Sequence, residues 1–251
     1  MIEQTTERGV RTLTLRHGKA NAFDTPFSEA LADAFEAAAA DAEVRAVVVT
    51  GTGRIFSAGV DLFRIVKEGA DYTAPFVTAL TRAFRAAYAF PKPAIAAING
   101  HAIAGGCILA CACDTRVMAK ATGKVGAPEL LVGVGFPPIA LEILRGRLAP
   151  AVLHRVTKSG ESLSPDAALD AGLVDELVAP DDLMPRARAL ALEAAETAPE
   201  AWALLKHQLH GPRLDAAEND AEGLRRTWDI WTSEATRERI ASYLEKTLGK
   251  R

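Results

Sequence analysis

A chain of 251 residues, 49% hydrophobic and 24% charged, has an ordinary globular composition and enough length for one large core or two smaller ones. Its net charge of −3 gives no electrostatic reason to expect nucleic-acid binding, and no apolar run is long enough to span a bilayer. The opening Met1-Ile2-Glu3-Gln4 lacks a basic segment leading into an apolar run, so no signal peptide is expected and a cytoplasmic location is the default.

The chain begins as a hairpin: Ile2 to Glu7, a turn at Arg8-Gly9, then Val10 to Arg16 with alternating apolar residues. Asp24 or Thr25 can cap a helix, Pro26 suits its first turn, and an alanine-rich run sustains it to Asp41. The β-branched run Val44 to Thr50 predicts a buried strand. A helix over Ala74 to Ala89 is stopped before Pro91, and a strand over Ala94 to Asn99 follows. A helix over Ala104 to Cys113 comes after paired glycines, then a strand over Arg116 to Ala119 and a helix over Pro138 to Leu148. Beyond Leu163 the chain reads mostly helical, with one short strand at Leu173 to Val178. Strands alternating with helices predict an α/β architecture with buried parallel strands.

No Ser/Gly/Pro-rich linker or block of like charge divides the chain. We therefore expect a main unit over residues 1–190 and a helical C-terminal extension over 191–251. In that extension Leu224, Trp228, Trp231, Ile240 and Leu244 recur at spacings compatible with a helical stripe. Cys107, Cys111 and Cys113 crowd together with no histidine pair to complete a zinc site, so they read as buried thiols and no metal is expected.

Two glycine-marked segments carry the chemical signal. In Ala96-Ala97-Ile98-Asn99-Gly100-His101-Ala102-Ile103-Ala104-Gly105-Gly106-Cys107-Ile108, a strand and tight turn lead to glycines that open a helix. Glycine lets a ligand approach bare main chain, and a helix N-terminus presents unpaired N–H groups. The second segment is Gly51-Thr52-Gly53-Arg54-Ile55-Phe56-Ser57-Ala58-Gly59-Val60-Asp61-Leu62. Each could aim one N–H at a single oxygen, as an oxyanion hole requires. On the glycine pattern alone, two ligand-free turns are the alternative.

Together with Lys19-Ala20-Asn21-Ala22-Phe23 and Ala127-Pro128-Glu129-Leu130-Leu131-Val132-Gly133, these segments resemble the crotonase superfamily of enoyl-CoA hydratases and isomerases, in the family's order and over nearly the whole chain. The resemblance implies a spiral of ββα turns with a helical C-terminal region that builds trimers or dimers of trimers. A stripe that buries only against its own domain is the alternative for that region. It also implies an acyl-CoA thioester substrate, with CoA as part of the substrate and no separate cofactor. The oxyanion donors would be the N–H groups of Ala58 and Gly105, and Glu129 the catalytic acid/base. Desolvation should raise the pKa of a carboxyl so placed, which suits proton exchange near neutrality. CoA would be cradled around Ala20, Ala22, Ala58, Asp61 and Leu62, with Gly105 and Pro128 also at the substrate. Asp61 would hold its loop by hydrogen bonds, and Arg54, Arg64 or Lys67 could meet phosphates.

One departure from the pattern separates the possible reactions. Typical hydratases carry a second glutamate immediately after Gly-Gly-Cys, where this chain has Ile108. Two carboxylates position and activate water for hydration, and isoleucine can do neither. Moving a double bond from the 3,4 to the 2,3 position needs only one base and an oxyanion hole. The segment Ala104-Gly105-Gly106-Cys107-Ile108 resembles the Δ3,Δ2-enoyl-CoA isomerase branch, and the apolar stretch from Gly133 to Pro138 suits an acyl chain. The resemblance thus implies an isomerase of fatty-acid degradation. A hydratase with an unusual second acid and a non-catalytic acyl-CoA-binding relative are the rivals. Glu142, the nearest alternative acid, reads as a helix surface residue, and His101 as a structural histidine.

Overall fold

The computed structural model describes residues 1–120 and 123–248. Strands β1 (Ile2–Glu7) and β2 (Val10–Leu15) form the expected hairpin, with Arg8 and Gly9 at φ 50° and 78°. Two consecutive left-handed residues match the twist of a tight hairpin. Asp24, and not Thr25, caps α1 (Thr25–Ala40), accepting the Phe27 N–H at 2.9 Å. Next come β3 (Ala46–Thr50), β4 (Ile55–Ser57), α2 (Leu62–Glu68) and α3 (Ala70–Tyr88). They lead to β5 (Ala94–Ile98), β6 (His101–Ile103), α4 (Gly105–Ala112), β7 (Thr115–Ala119) and β8 (Val125–Gly126). A 3-10 turn over Glu129–Val132 precedes α5 (Pro138–Arg147), α6 (Pro150–Ser159), β9 (Ser162–Leu163), α7 (Pro165–Asp170) and β10 (Glu176–Val178). The chain continues as α8 (Leu183–Ala195), α9 (Pro199–Asn219), α10 (Ala221–Trp231) and α11 (Glu234–Leu248).

The strands sort into two sheets. A six-stranded sheet runs β1-β2-β3-β5-β7-β10, parallel except for the hairpin, and a four-stranded sheet runs β4-β6-β8-β9. Each of the pairs β3/β4, β5/β6 and β7/β8 contributes its first strand to the large sheet and its second to the small one, before a helical segment closes the turn. This is the expected ββα spiral. Strands β4, β6 and β8 were not anticipated as strands, because segments of two or three residues are held by partners from other turns of the spiral. The predicted strand at Leu173 to Val178 is reduced to β10. Leu173 and Val174 instead bury in the turn after α7, where both their N–H groups donate to the Ala168 carbonyl.

Strands β3 and β5 at the centre of the large sheet are buried on both faces, which explains their unbroken apolar runs. Val47, Val49, Ala96 and Ile98 face the main core with α1, α3 and α4. Ala46, Val48, Ile95 and Ala97 face α8, whose Ala187, Ala191 and Ala195 recur one helical turn apart and let it lie close to the sheet. Helix α8 therefore spans residue 190. The three cysteines are buried and unbridged, as expected.

The C-terminal stripe divides. Trp231 and Ile240 bury within this chain, while Trp228 is exposed. Helix α10 packs on α3, and α11 packs on α2 and the 3-10 turn. For Trp231 and Ile240 the alternative of burial against the chain's own domain holds, since both complete its core. Glu142 is also not a surface residue. It is 8% exposed and forms ion pairs with Arg145 and with Arg213, the latter at 3.3 Å.

Candidate active site

Asn21, at φ 48°, organises the first of the site's loops. Its amide donates to the carbonyls of Phe56 at 3.0 Å and Ile55 at 3.3 Å, and its side-chain oxygen accepts the His17 N–H at 2.8 Å. The Ser57 hydroxyl donates to the Asn21 carbonyl at 2.7 Å. The segment containing Ala20 and Ala22 is thereby fixed against β4.

Two glycines join β4 and its exit to the start of α4. Gly59 has φ +86°, and a Cβ there would lie 2.7 Å from both the Ala104 Cβ and the Ile103 carbonyl. A Cβ on Gly106 would lie 2.5 Å from the Ser57 carbonyl. Contacts so short exclude any side chain, so the two predicted donor segments meet because both are glycine there. Gly105 opens α4, where an N–H has no partner within the helix. Ala58 behaves differently: its N–H donates to the Ala20 carbonyl at 3.0 Å. Asp61 caps α2 by accepting the Arg64 N–H at 3.2 Å, and its own N–H donates to the Phe23 carbonyl at 2.9 Å.

A cavity of about 150 Å³ lies where these segments meet, lined by Ala58, Leu62, Gly105, Ile108, Pro128 and Glu129 among others. Its walls are otherwise almost wholly apolar. The Trp231 indole N–H is engaged with the Gly135 carbonyl at 2.9 Å. Glu129 supplies the cavity's carboxyl; no other carboxylate lines it among the described residues. It is 8% exposed, and its Oε2 is buried without a hydrogen-bond partner. Burial in this apolar setting pushes its pKa from 4.5 up to about 8. Ile108 occupies the wall where a second carboxyl would be expected, and Glu142 does not reach the cavity.

A groove of about 520 Å³ adjoins the cavity. Ala20, Ala22, Ala58, Asp61 and Leu62 all line it, while Gly105 and Pro128, the other predicted substrate-binding residues, line the cavity. Ala58, Val60, Leu62, Ile103 and Tyr243 line both spaces and mark the passage between them. None of Arg54, Arg64 and Lys67 lines the groove; Lys19 and His17 do. Arg64 is committed to Asp24 at 3.0 Å and Glu68 at 2.8 Å. Sequence reasoning missed Leu80, Phe84, Trp231 and Tyr243 as cavity residues, since helical periodicity marks them only as apolar or amphipathic positions. Among the described residues, no cluster of His, Cys, Asp and Glu could hold a metal ion, and no helix is long and apolar enough to cross a membrane.

A family profile described as enoyl-CoA hydratase/isomerase matches residues 5–249. The chain belongs to this family. It is 32% identical over 250 residues to a probable enoyl-CoA hydratase of Bacillus subtilis strain 168, covering 98% of this chain and 96% of that protein. Among solved structures, this family member resembles an apo enoyl-CoA isomerase described as from Mtb, with 30% identity and a TM-score of 0.77 over 96% of this chain and 97% of the other. The human mitochondrial delta3-delta2-enoyl-CoA isomerase superposes with a TM-score of 0.94, covering 100% of this chain and 99% of that one. Its 21% identity makes this a likeness of fold. The crotonase fold and acyl-CoA enzyme class are therefore shared with these proteins.

Proposed function

We propose that this acyl-CoA enzyme isomerises 3-enoyl-CoA to 2-enoyl-CoA. The observation that carries the reading is a single unpaired carboxyl, Glu129, facing an apolar cavity in which Ile108 stands at the usual place of a second acid. The ionised Glu129 takes a proton from C2, and charge moves onto the thioester oxygen. The Gly105 N–H stabilises that oxygen, joined by the Ala58 N–H once the thioester replaces or shares the Ala20 carbonyl. The neutral Glu129 then returns the proton to C4, with no water needed in the cavity. A pKa near 8 suits both steps, because the group must hold a proton and release it within one turnover. The groove takes the CoA moiety, with Lys19, which lines it, available for its phosphates.

Hydration is the second reading, favoured by the hydratase names of several relatives. Turnover of matched 3-enoyl-CoA and 2-enoyl-CoA esters separates the two. We expect the 2-enoyl ester as product and no 3-hydroxy ester. Formation of the 3-hydroxy ester would overturn the single-base mechanism. The exposed Leu204, Leu205 and Leu209 on α9 support self-association as a trimer or dimer of trimers, which light scattering after size exclusion would test.

A further inference from the structure

We propose that the cavity admits only short acyl groups, of up to about six carbons counted from the thioester carbonyl, and that Trp231 sets this limit. The inference rests on the acyl-CoA reading above but not on which reaction follows binding. Residues shared with the groove mark the cavity's mouth, whereas Leu80, Phe84, Ile108, Val134, Ala140 and Trp231 are among those that line the cavity and not the groove. The reacting carbons occupy this same space, because Glu129 and Gly105 line it too. An apolar space of about 150 Å³ accommodates a benzene-sized group, roughly six carbons. A longer chain would have to displace side chains that are themselves packed.

Those walls are firmly held. Phe84 stands under Gly105, where an added Cβ would lie 3.4 Å from its ring, and its edge contacts Phe23 at a centroid distance of 5.7 Å. It therefore shapes the space beside the reacting carbons. Trp231 reaches the cavity from outside the ββα spiral, at the end of α10. It is 3% exposed, its indole N–H is fixed on Gly135, and its ring lies against Phe76 at 6.3 Å. Thr227 ties the same helix to the same loop through its hydroxyl, which donates to the Phe136 carbonyl at 3.4 Å. Moving Trp231 aside means breaking that bond and repacking a filled core, so a bulky occupied wall, and not a flexible end, meets the growing chain.

The test is equilibrium binding of saturated butanoyl-, hexanoyl-, octanoyl- and dodecanoyl-CoA to the full chain by calorimetry, which needs no turnover. We expect affinity to rise to hexanoyl-CoA and to fall at least tenfold by dodecanoyl-CoA. Trp231→Ala should move the dodecanoyl-to-hexanoyl affinity ratio at least tenfold toward the longer ester. Trp231→Leu, which retains apolar bulk in the core, should move it in the same direction and serves where the alanine variant does not fold. Equal affinity of wild type for hexanoyl and dodecanoyl esters overturns the length limit. An unchanged ratio in a folded Trp231 variant overturns the role of Trp231. Failure of every ester to bind refutes the acyl-CoA reading and this proposal with it, whereas a normal length profile with hydration of 2-enoyl esters refutes only the isomerase.

Discussion

Replacing Glu129 by Gln tests the buried carboxyl without altering its shape. The folded chain holds the Glu129 proton more tightly than the unfolded chain, with pKa about 8 against 4.5. The stabilisation associated with the neutral carboxyl is complete below pH 4.5 and is lost as pH rises through about 8. At about 1.4 kcal/mol per pH unit, full titration over that interval corresponds to on the order of 5 kcal/mol. This is an upper value, since the cavity communicates with the groove and water can reach an ionised carboxylate. Glutamine cannot ionise, so the variant should lack this component and gain on wild type by a few kcal/mol, roughly 2–5, between pH 5 and pH 9. Urea unfolding at fixed protein concentration and several pH values gives the difference. Parallel pH profiles for the two proteins would show that Glu129 ionises as freely in the folded chain as in the unfolded one, and the argument from burial would fail.

The same carboxyl gives the proposed reaction a pH dependence. At pH 7 about a tenth of Glu129 is ionised for a pKa near 8, so kcat/KM should rise with pH and level off above about 8; a flat profile from pH 6 to 9 would exclude Glu129 as the base. Gly59→Ala adds a Cβ 2.7 Å from Ala104 and Ile103 at a left-handed position, separating the donor segments. We expect kcat to fall roughly 100- to 1000-fold, as for loss of one oxyanion donor, and unchanged turnover would refute the shared oxyanion site. Asp61→Ala removes the α2 cap and should cost about 1 kcal/mol in thermal unfolding. It should also raise KM more than it lowers kcat, because Asp61 lines the groove and not the cavity. Lys206 is 5% exposed and lies 2.8 Å from Asp114, which also accepts the Ala94 N–H at the start of β5. Lys206→Ala should cost about 1–3 kcal/mol by denaturant unfolding, because Asp114 is part-buried and keeps the Ala94 N–H and Arg147 at 4.0 Å; an unchanged midpoint would show that the pair adds nothing to stability.

The sequence by itself determined the parts whose causes are local. The Arg8-Gly9 turn, the Asp24 cap, the apolar runs of β3 and β5 and the glycines opening α4 all act through neighbouring residues, and each lies where the residue chemistry puts it. The motif around Glu129 was legible as a resemblance, but its isolation was not, because burial and an unpaired Oε2 belong to the walls around it. Tertiary structure decided what depends on partners far along the chain. Strands β4, β6 and β8 are too short to show a period and exist only where turns of the spiral meet. Glu142 reads as a surface helix residue until Arg213, from α9, is placed beside it. The Ala58 N–H could not be known to pair with Ala20 from spacing, since a backbone donor carries no side-chain signature. Trp231 carries the same lesson: apolar helical periodicity says that a face is buried but not against what, and only the packed chain turns that position into a wall of the candidate site's cavity.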